Sequence, residues 1–326
     1  MSTKDSVLEA LENSHGNYLS GEDLSNKLDV SRTAIWKAIK ALREEGHNIE
    51  AVTNKGYMLI PSTRLITASG VREGLSEAYK DIDISIYDTI DSTNIEAKKM
   101  ALDGAKDGTV VISRQQTAGR GRLGRGFFSP PEGLYLSIVI KPDFDLSKAV
   151  LITSAAAVAV AEAIKEVAGQ EAKIKWVNDV YVDGKKVCGI LTEGITDFET
   201  GRIENLVTGI GINTTLRDFP EDLLATAGAV EGDYSIAKLA GAIVSKTLDY
   251  AHNIEERTFI EGYRNKSMVI GKTVTVYKGR YKINPEDEIP GRSARVLDID
   301  NDGRLEVIYS DGTQEALGSG EITLRL

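Results

Sequence analysis

The run from Gln116 to Pro130, QTAGRGRLGRGFFSP, constrains this chain more than any other segment. Four glycines and three arginines lie between two apolar runs, Thr109 to Ser113 and Leu134 to Ile140, that read as strands. Glycine takes positive φ cheaply, so such a loop can turn its backbone N–H groups inward around an anion. Arg120, Arg122 and Arg125 add permanent charge on forked donors that match phosphate or carboxylate. A disordered nucleic-acid tract of arginine and glycine, or a merely solvated basic loop, would share this composition. The segment is single, short and enclosed by strands, which favours a phosphate clamp on a movable loop.

The rest of the composition narrows the choice. A net charge of −10 argues against a nucleic-acid coat protein, though not against a local basic face. A length of 326 residues allows about two to three domains, with 41% hydrophobic and 27% charged residues as in an ordinary folded chain. Cys188 is the one cysteine, which excludes an internal disulfide and any multi-cysteine metal site. His15, His47 and His252 are scattered, so a histidine-based zinc site is not expected. There is no secretory apolar segment at the N-terminus, and Ala149 to Ala163 reads as a buried helix too short to span a bilayer. A cytoplasmic location is expected.

Up to about Pro61 the pattern is three helices and a hairpin. Lys4 to Asn13 carries Val7, Leu8 and Leu11 on one face. Ser20 with Asp23 resembles a capping box opening a helix to Leu28, and Ser31 caps a helix in which Ile35, Ala38, Ile39 and Leu42 recur at helical spacing. Gly46 is a stop signal, and Ile49 to Leu59 is a hairpin with Asn54-Lys55-Gly56 at its tip. This is the layout of a winged helix-turn-helix; a small helical domain for protein contacts is the alternative. Residues 1–62 hold seven Lys/Arg against nine Asp/Glu, yet Arg32, Lys37, Lys40 and Arg43 fall together with no acid among them. Ser31, Arg32, Thr33, Lys37 and Lys40, with Lys55 on the wing, are the candidate DNA contacts. The weak total charge predicts binding as a dimer to a two-part site.

In the central part, Asp83 to Tyr87 is a short strand, and Asp91-Ser92-Thr93-Asn94 precedes a helix from Ile95 to Leu102. Such residues cap helices, and they also aim hydroxyl and amide groups at a ligand near the helix end. Ala172 to Trp176 and Val180 to Val182 are strand-like, the latter followed by a turn at Asp183-Gly184 and a strand from Val187 to Thr192. Lys175 stands in apolar surroundings where a lysine needs an anionic partner, unless it snorkels to the surface. Gly209 and Gly211, two apart between Leu206 and Asn213, leave one strand face bare for a flat ligand or another backbone.

The segments DSTN, QTAGRGRLGR, KWVNDVYV with KKVCGILTE, and GIGIN resemble the successive motifs of the biotin protein ligase family. With its N-terminal module, the chain resembles the bifunctional form that is both ligase and biotin-responsive repressor. The resemblance implies an α+β fold: a winged helix-turn-helix (1–62), a class II synthetase-like mixed α/β catalytic domain (63–268) and an SH3-like β-barrel (269–326). It implies that biotin and ATP form biotinyl-adenylate, and that a lysine of a biotin carboxyl carrier protein then accepts the biotinyl group. Lys175, Arg120 and Arg122 are then the catalytic cations, with the N–H of Gly121 closing over the phosphate. Ser92, Thr93, Asn94, Gln116, Gly119, Gly189, Gly209, Gly211 and Asn213 complete the biotin and adenylate site, and Asn178 or Asp179 would hold the Mg²⁺ that accompanies ATP. Operator DNA and a ligand-promoted homodimer are the remaining expected partners.

Some residues depart from that family pattern. Val177 stands where a proline is common after the tryptophan, and Gly126-Phe127-Phe128 where a tryptophan is common, which leaves the loop's closing contact open. No tryptophan lies between Arg217 and Val230 to stack on adenine, and Gly279 to Arg292 looks like an extended hairpin. A lipoate-type acyl ligase, or a biotin-sensing repressor without catalysis, are the competing expectations.

Overall fold

The computed structural model describes residues 3–12, 14, 16–44, 47–60, 64–144, 148–196, 203–278, 291–318 and 322–325. Gly46 and nearly all of the polar stretch before Arg292 lie outside them.

The N-terminal module forms α1 (Thr3–Glu12), α2 (Gly21–Leu28), α3 (Arg32–Glu44), β1 (Ile49–Val52) and β2 (Gly56–Leu59). The caps lie where the sequence places them: the Ser20 hydroxyl accepts from the Asp23 N–H, and that of Ser31 from the Ala34 N–H. Val7, Leu11, Leu24, Ile35, Ile39, Leu42 and Ile49 close a small core of their own. The β1–β2 hairpin folds back on the start of α2, where Gly56, at φ 109°, passes too close to the Leu19 backbone for any side chain. Arg43 departs from the sorted basic face: its guanidinium donates to the Ile49 carbonyl at 2.6 and 2.9 Å, tying α3 to β1.

After α4 (Ala68–Gly74), the central part builds β3 (Ile84–Ile90), α5 (Thr93–Leu102), β4 (Val110–Gln116), β5 (Leu134–Ile140), α6 (Ala149–Ala163), β6 (Lys173–Lys175), β7 (Asp179–Val182), β8 (Lys185–Thr196), β9 (Ile203–Ile212), α7 (Glu221–Leu224), α8 (Ile236–His252) and α9 (Phe259–Lys266). The strands make one seven-stranded sheet in the order β3-β4-β5-β9-β8-β7-β6. Only β3 and β4 pair in parallel; the other pairs are antiparallel. Every residue of β5 is buried, as a strand covered on both faces requires. One face packs on α6 and α8, whose alanine-rich surfaces allow close approach. On the other, α5 lays Ala97 and Ala101 on Val111, Val139 and Val207.

The C-terminal strands β10 (Thr273–Lys278), β11 (Arg292–Ile299), β12 (Leu305–Tyr309), β13 (Gln314–Leu317) and β14 (Ile322–Arg325) form an antiparallel sheet in the order β13-β12-β11-β10-β14. Among the described residues no pairing joins β13 to β14, so they form an open sheet and no closed barrel. Its inner residues, Val274, Val296, Leu305 and Val307, belong to the same apolar core as the central sheet. No helix among the described residues is long and apolar enough to cross a membrane.

Candidate active site

Strand periodicity places the site. Residues two apart on β9 share a face, so Val207, Gly209 and Gly211 line up on the α5 side of the sheet. Register sets Leu191 and Ser137 beside Gly209, and Gly189 and Tyr135 beside Gly211. Val207 carries α5; beyond the helix's first residue the floor is glycine. Asn94 lies directly on Gly209, where a β-carbon would collide with its Oδ1. A β-carbon on Gly211 or Gly189 would stand 2.5 or 2.9 Å from the ring of Phe127. The bare face read from the glycine spacing thus receives side chains of the chain's own, and Phe127 supplies the closing contact that the motif left open.

Around this floor runs a cavity of about 230 Å³. Its neutral side is built by Ser92, Thr93, Asn94 and Gln116, with Gly189, Gly209 and Gly211 beneath. Ser92 occupies the N-cap position of α5 but its hydroxyl makes no cap bond. The Gln116 Oε1 instead accepts from the Thr93 N–H at 2.8 Å, while its Nε2 donates to the Ser129 hydroxyl at 3.0 Å. Helix capping and ligand display, alternatives in the sequence, are thereby divided between two residues.

The cavity's other side is cationic: Arg120, Arg122, Arg125, Lys175 and Lys186. Arg122 donates from Nη1 to the Asn178 Oδ1 at 3.2 Å, and Lys186 pairs with Asp179 at 2.7 Å. Burial lowers the Arg122 guanidinium and the Lys175 ammonium from their ordinary values, with Asp179 opposing the shift in both and Lys186 adding to it for Lys175. Among the described residues the Lys175 ammonium makes no hydrogen bond or ion pair. A half-buried cation without a partner is a standing site for an anion.

The structure rearranges part of the expected site. The Gly-Arg segment closes on itself: the Gly121 N–H donates to the Arg125 carbonyl at 2.8 Å and the Phe127 N–H to the Gly119 carbonyl at 2.9 Å. The Gly121 N–H is therefore not offered to a phosphate in this arrangement. Gly119 packs on Ser129 and the Phe127 carbonyl, outside this cavity. Asn213 also stands outside, its Nδ2 donating to the Gly228 carbonyl at 3.0 Å. Asn178 accepts from Arg122 and Asp179 pairs with Lys186, so the two residues expected near Mg²⁺ line the cavity already engaged with its cations. No group of three or more His, Cys, Asp or Glu among the described residues could hold a metal.

Sequence reasoning missed Lys186, Leu191 and Phe127 as lining residues. For Lys186 the signal was available: in the strand pattern it lies opposite Tyr181, on the same strand as the Asp179 that faces Lys175. The Trp176 indole donates to the Gly303 carbonyl at 3.0 Å, and Arg257 pairs with Asp302 at 2.9 Å, so the turn before β12 is docked behind the lysine strand. The Trp176–Val177 peptide bond is cis.

The candidate DNA-facing side chains Ser31, Arg32, Thr33, Lys37, Lys40 and Lys55 are all exposed, and Trp36, 55% exposed, stands among them. Arg32 pairs with Glu22 at 2.5 Å, and the Lys55 ammonium lies 5.5 Å from the centre of the Tyr18 ring.

Comparison with known proteins agrees with this geometry. Residues 86–213 match the model of the Biotin/lipoate A/B protein ligase family, 3–58 an HTH domain, and 285–325 the Biotin protein ligase C terminal domain. The Bifunctional ligase/repressor BirA of Bacillus subtilis is 39% identical over 220 residues, 67% of either chain. That of Salmonella typhimurium is 29% identical over 318 residues, 95% of this chain and 94% of its own. The biotin protein ligase of Aquifex aeolicus, solved with biotin and ATP, shares the fold at a TM-score of 0.61 and 24% identity, over 74% of this chain and 98% of that one. On these matches, of the ligase domain and the HTH module together, this chain belongs to the bifunctional biotin ligase/repressor family.

Proposed function

We propose that the cavity activates biotin with ATP and passes the biotinyl group to a lysine of a carrier protein, while the N-terminal module binds operator DNA. The observation that carries this reading is the continuity of one cavity from a neutral polar wall to a cluster of cations. The neutral wall offers donors and acceptors to the ureido ring, and Gly189, Gly209 and Gly211 let Asn94 and Phe127 close down on the sheet beside it.

Activation brings two anions together. A carboxylate oxygen of biotin attacks the α-phosphorus of ATP, the bond to the bridging oxygen breaks, and pyrophosphate leaves. Charge neutralisation and alignment are the protein's main contribution to such a step. Lys175, without a partner of its own, is placed to hold the carboxylate against the α-phosphate, and Lys186 and Arg122 extend the same positive field. Arg120 and Arg122 on the Gly-Arg loop screen the anhydride from water. The carrier's lysine amine then attacks the acyl carbon and AMP leaves. Mg²⁺ would accompany the ATP phosphates, with Asn178 and Asp179 on the cationic side of the cavity to hold it.

The C-terminal sheet is read as an SH3-like fold that backs the lysine strand through Trp176. The protein works in the cytoplasm and represses as a homodimer promoted by adenylate. The test is direct: purified protein is mixed with labelled ATP, biotin or lipoate, and an apo carrier domain. Label appearing as AMP and carrier becoming biotinylated, with lipoate inert, is the expected result. Lipoate transfer would assign the other branch of the family, and no transfer with retained biotin binding would leave a sensor alone.

A further inference from the structure

Glu193 lies outside every expected contact, yet Asn94 and Arg120 of the site converge on it together with Lys98. It follows Leu191 on the same face of β8, paired across the sheet with Val207, and its side chain is 20% exposed. Its Oε2 accepts from the Asn94 Nδ2 at 2.9 Å, and its Oε1 accepts from the Lys98 ammonium at 2.6 Å. The Arg120 guanidinium stands 3.9 Å from the same Oε1. Burial pushes the Glu193 carboxyl up, but the hydrogen bonds from Lys98 and Asn94, with the charges of Lys98 and Arg120, outweigh it, and the group stays ionised.

A carboxylate can only accept, so it dictates which way Asn94 turns. With Nδ2 drawn to Glu193, the Asn94 Oδ1 faces Ser137, whose hydroxyl donates to it at 2.6 Å. The Ser137 oxygen lies 2.8 Å from the Thr93 hydroxyl, which also reaches the Gln116 Oε1 at 3.1 Å. Each hydroxyl has one proton to give: with that of Ser137 on Asn94, Ser137 can only accept from Thr93, so the orientation of Asn94 reaches through Ser137 to the Thr93 hydroxyl. A neutral side chain at 193 could donate to Asn94 as well as accept from it, and the row would lose its direction.

We propose that Glu193 is a positioning residue for biotin: it sets the amide of Asn94 and, through Ser137 and Thr93, the donors and acceptors that meet the ureido ring. The inference rests on the reading that this cavity takes biotin.

The test is a double-mutant cycle on the full chain with Glu193→Gln, Asn94→Asp and both together, which keep the side-chain shapes. Glu193→Gln removes the charge that orients Asn94, and Asn94→Asp opposes two carboxylates. In the double variant the amide introduced at position 193 donates to the carboxylate introduced at position 94, which still accepts from Ser137. Biotin binding by calorimetry is expected to weaken at least ~10-fold in each single variant and to recover by roughly 10-fold in the double. The biotin KM for pyrophosphate release should follow the same pattern, while kcat moves by less than about 3-fold. A single variant that melts while the double folds reports the same coupling. Biotin binding by Glu193→Gln equal to wild type, or strictly additive losses in the double, overturns the proposal. A wild-type chain that binds no biotin would instead overturn the assigned function.

Discussion

Arg122 on the Gly-Arg loop donates to Asn178, in the turn after the lysine strand, at 3.2 Å, joining residues 56 apart in sequence. The bond latches the loop to the turn between β6 and β7, so the loop and Lys175 share one positional reference. Phe127, seated on Gly189 and Gly211, is the second latch.

Ordering a segment with four glycines costs conformational entropy, roughly 1–2 kcal/mol per residue fixed. Residues 116–130 should therefore exchange amide hydrogens readily without ligand and become protected when biotin and ATP are added. Hydrogen exchange with mass spectrometry checks this, and equal protection in both states would remove the moving-clamp role.

Lys175→Ala should slow adenylation at least ~10²-fold, the usual scale for losing one group that stabilises transition-state charge. Lys186→Ala should also slow it, and additionally leave Asp179 without its 2.7 Å partner. Pyrophosphate release with saturating biotin and ATP measures both. Lys175→Ala within a few-fold of wild type would shift the bridging role to Lys186.

A methyl group at Gly211 meets the Phe127 ring at 2.5 Å, too close to be absorbed without movement of the loop. Gly211→Ala should weaken biotin binding by about 10-fold or more, in the range of an overpacking penalty of roughly 1–3 kcal/mol. Phe127→Ala in the same chain should restore part of the fit. Calorimetric titration of the single and double variants is the measurement.

The pair between Asp107 and His252, 2.8 Å apart, predicts a stability window. The hydrogen bond that His252 donates to Asp107 raises the imidazole above its ordinary 6.5, against burial and with help from the charges of Asp107, Asp143 and Asp249. That contribution is complete below pH 6.5 and fades as pH rises through the raised value. Burial raises Asp107, but the His252 and Lys141 bonds hold it below 3.8, so its contribution is present above 3.8 and fades as pH falls through the lowered value. His252→Gln should therefore cost most stability between those limits, by no more than ~1 kcal/mol because both groups are over a third exposed. Thermal melts of the variant and wild type across pH measure it, and a deficit that grows with alkaline pH would contradict the assignment.

Operator binding should tighten with biotin plus ATP and relax when unbiotinylated carrier is added, since adenylate that favours the dimer must in turn be favoured by it. Removing Lys37 and Lys40 should weaken DNA uniformly and flatten the salt dependence by about one unit of slope each. Anisotropy titrations across salt concentrations test both. Affinity indifferent to ligand would leave the N-terminal module without a sensing role.

Local chemistry was legible in the sequence. The caps at Ser20 and Ser31, the apolar stripe of α3, the strands flanking the Gly-Arg run and the bare glycines of β9 all follow from periodicities of 2 and 3.6 and from single-residue conformational preferences. Those signals depend on neighbours within a few residues. The tertiary structure alone decided which side chains meet. It sent the Gly121 N–H into the loop's own turn, Arg43 to a carbonyl and Asn213 out of the cavity. It also brought Phe127 onto two glycines and Glu193 to Asn94, 99 residues away in the chain. The physical reason is strand register: Gly189, Leu191 and Glu193 lie beside Gly211, Gly209 and Val207 only in one alignment of β8 with β9, and a shift of one residue would turn all three from the site.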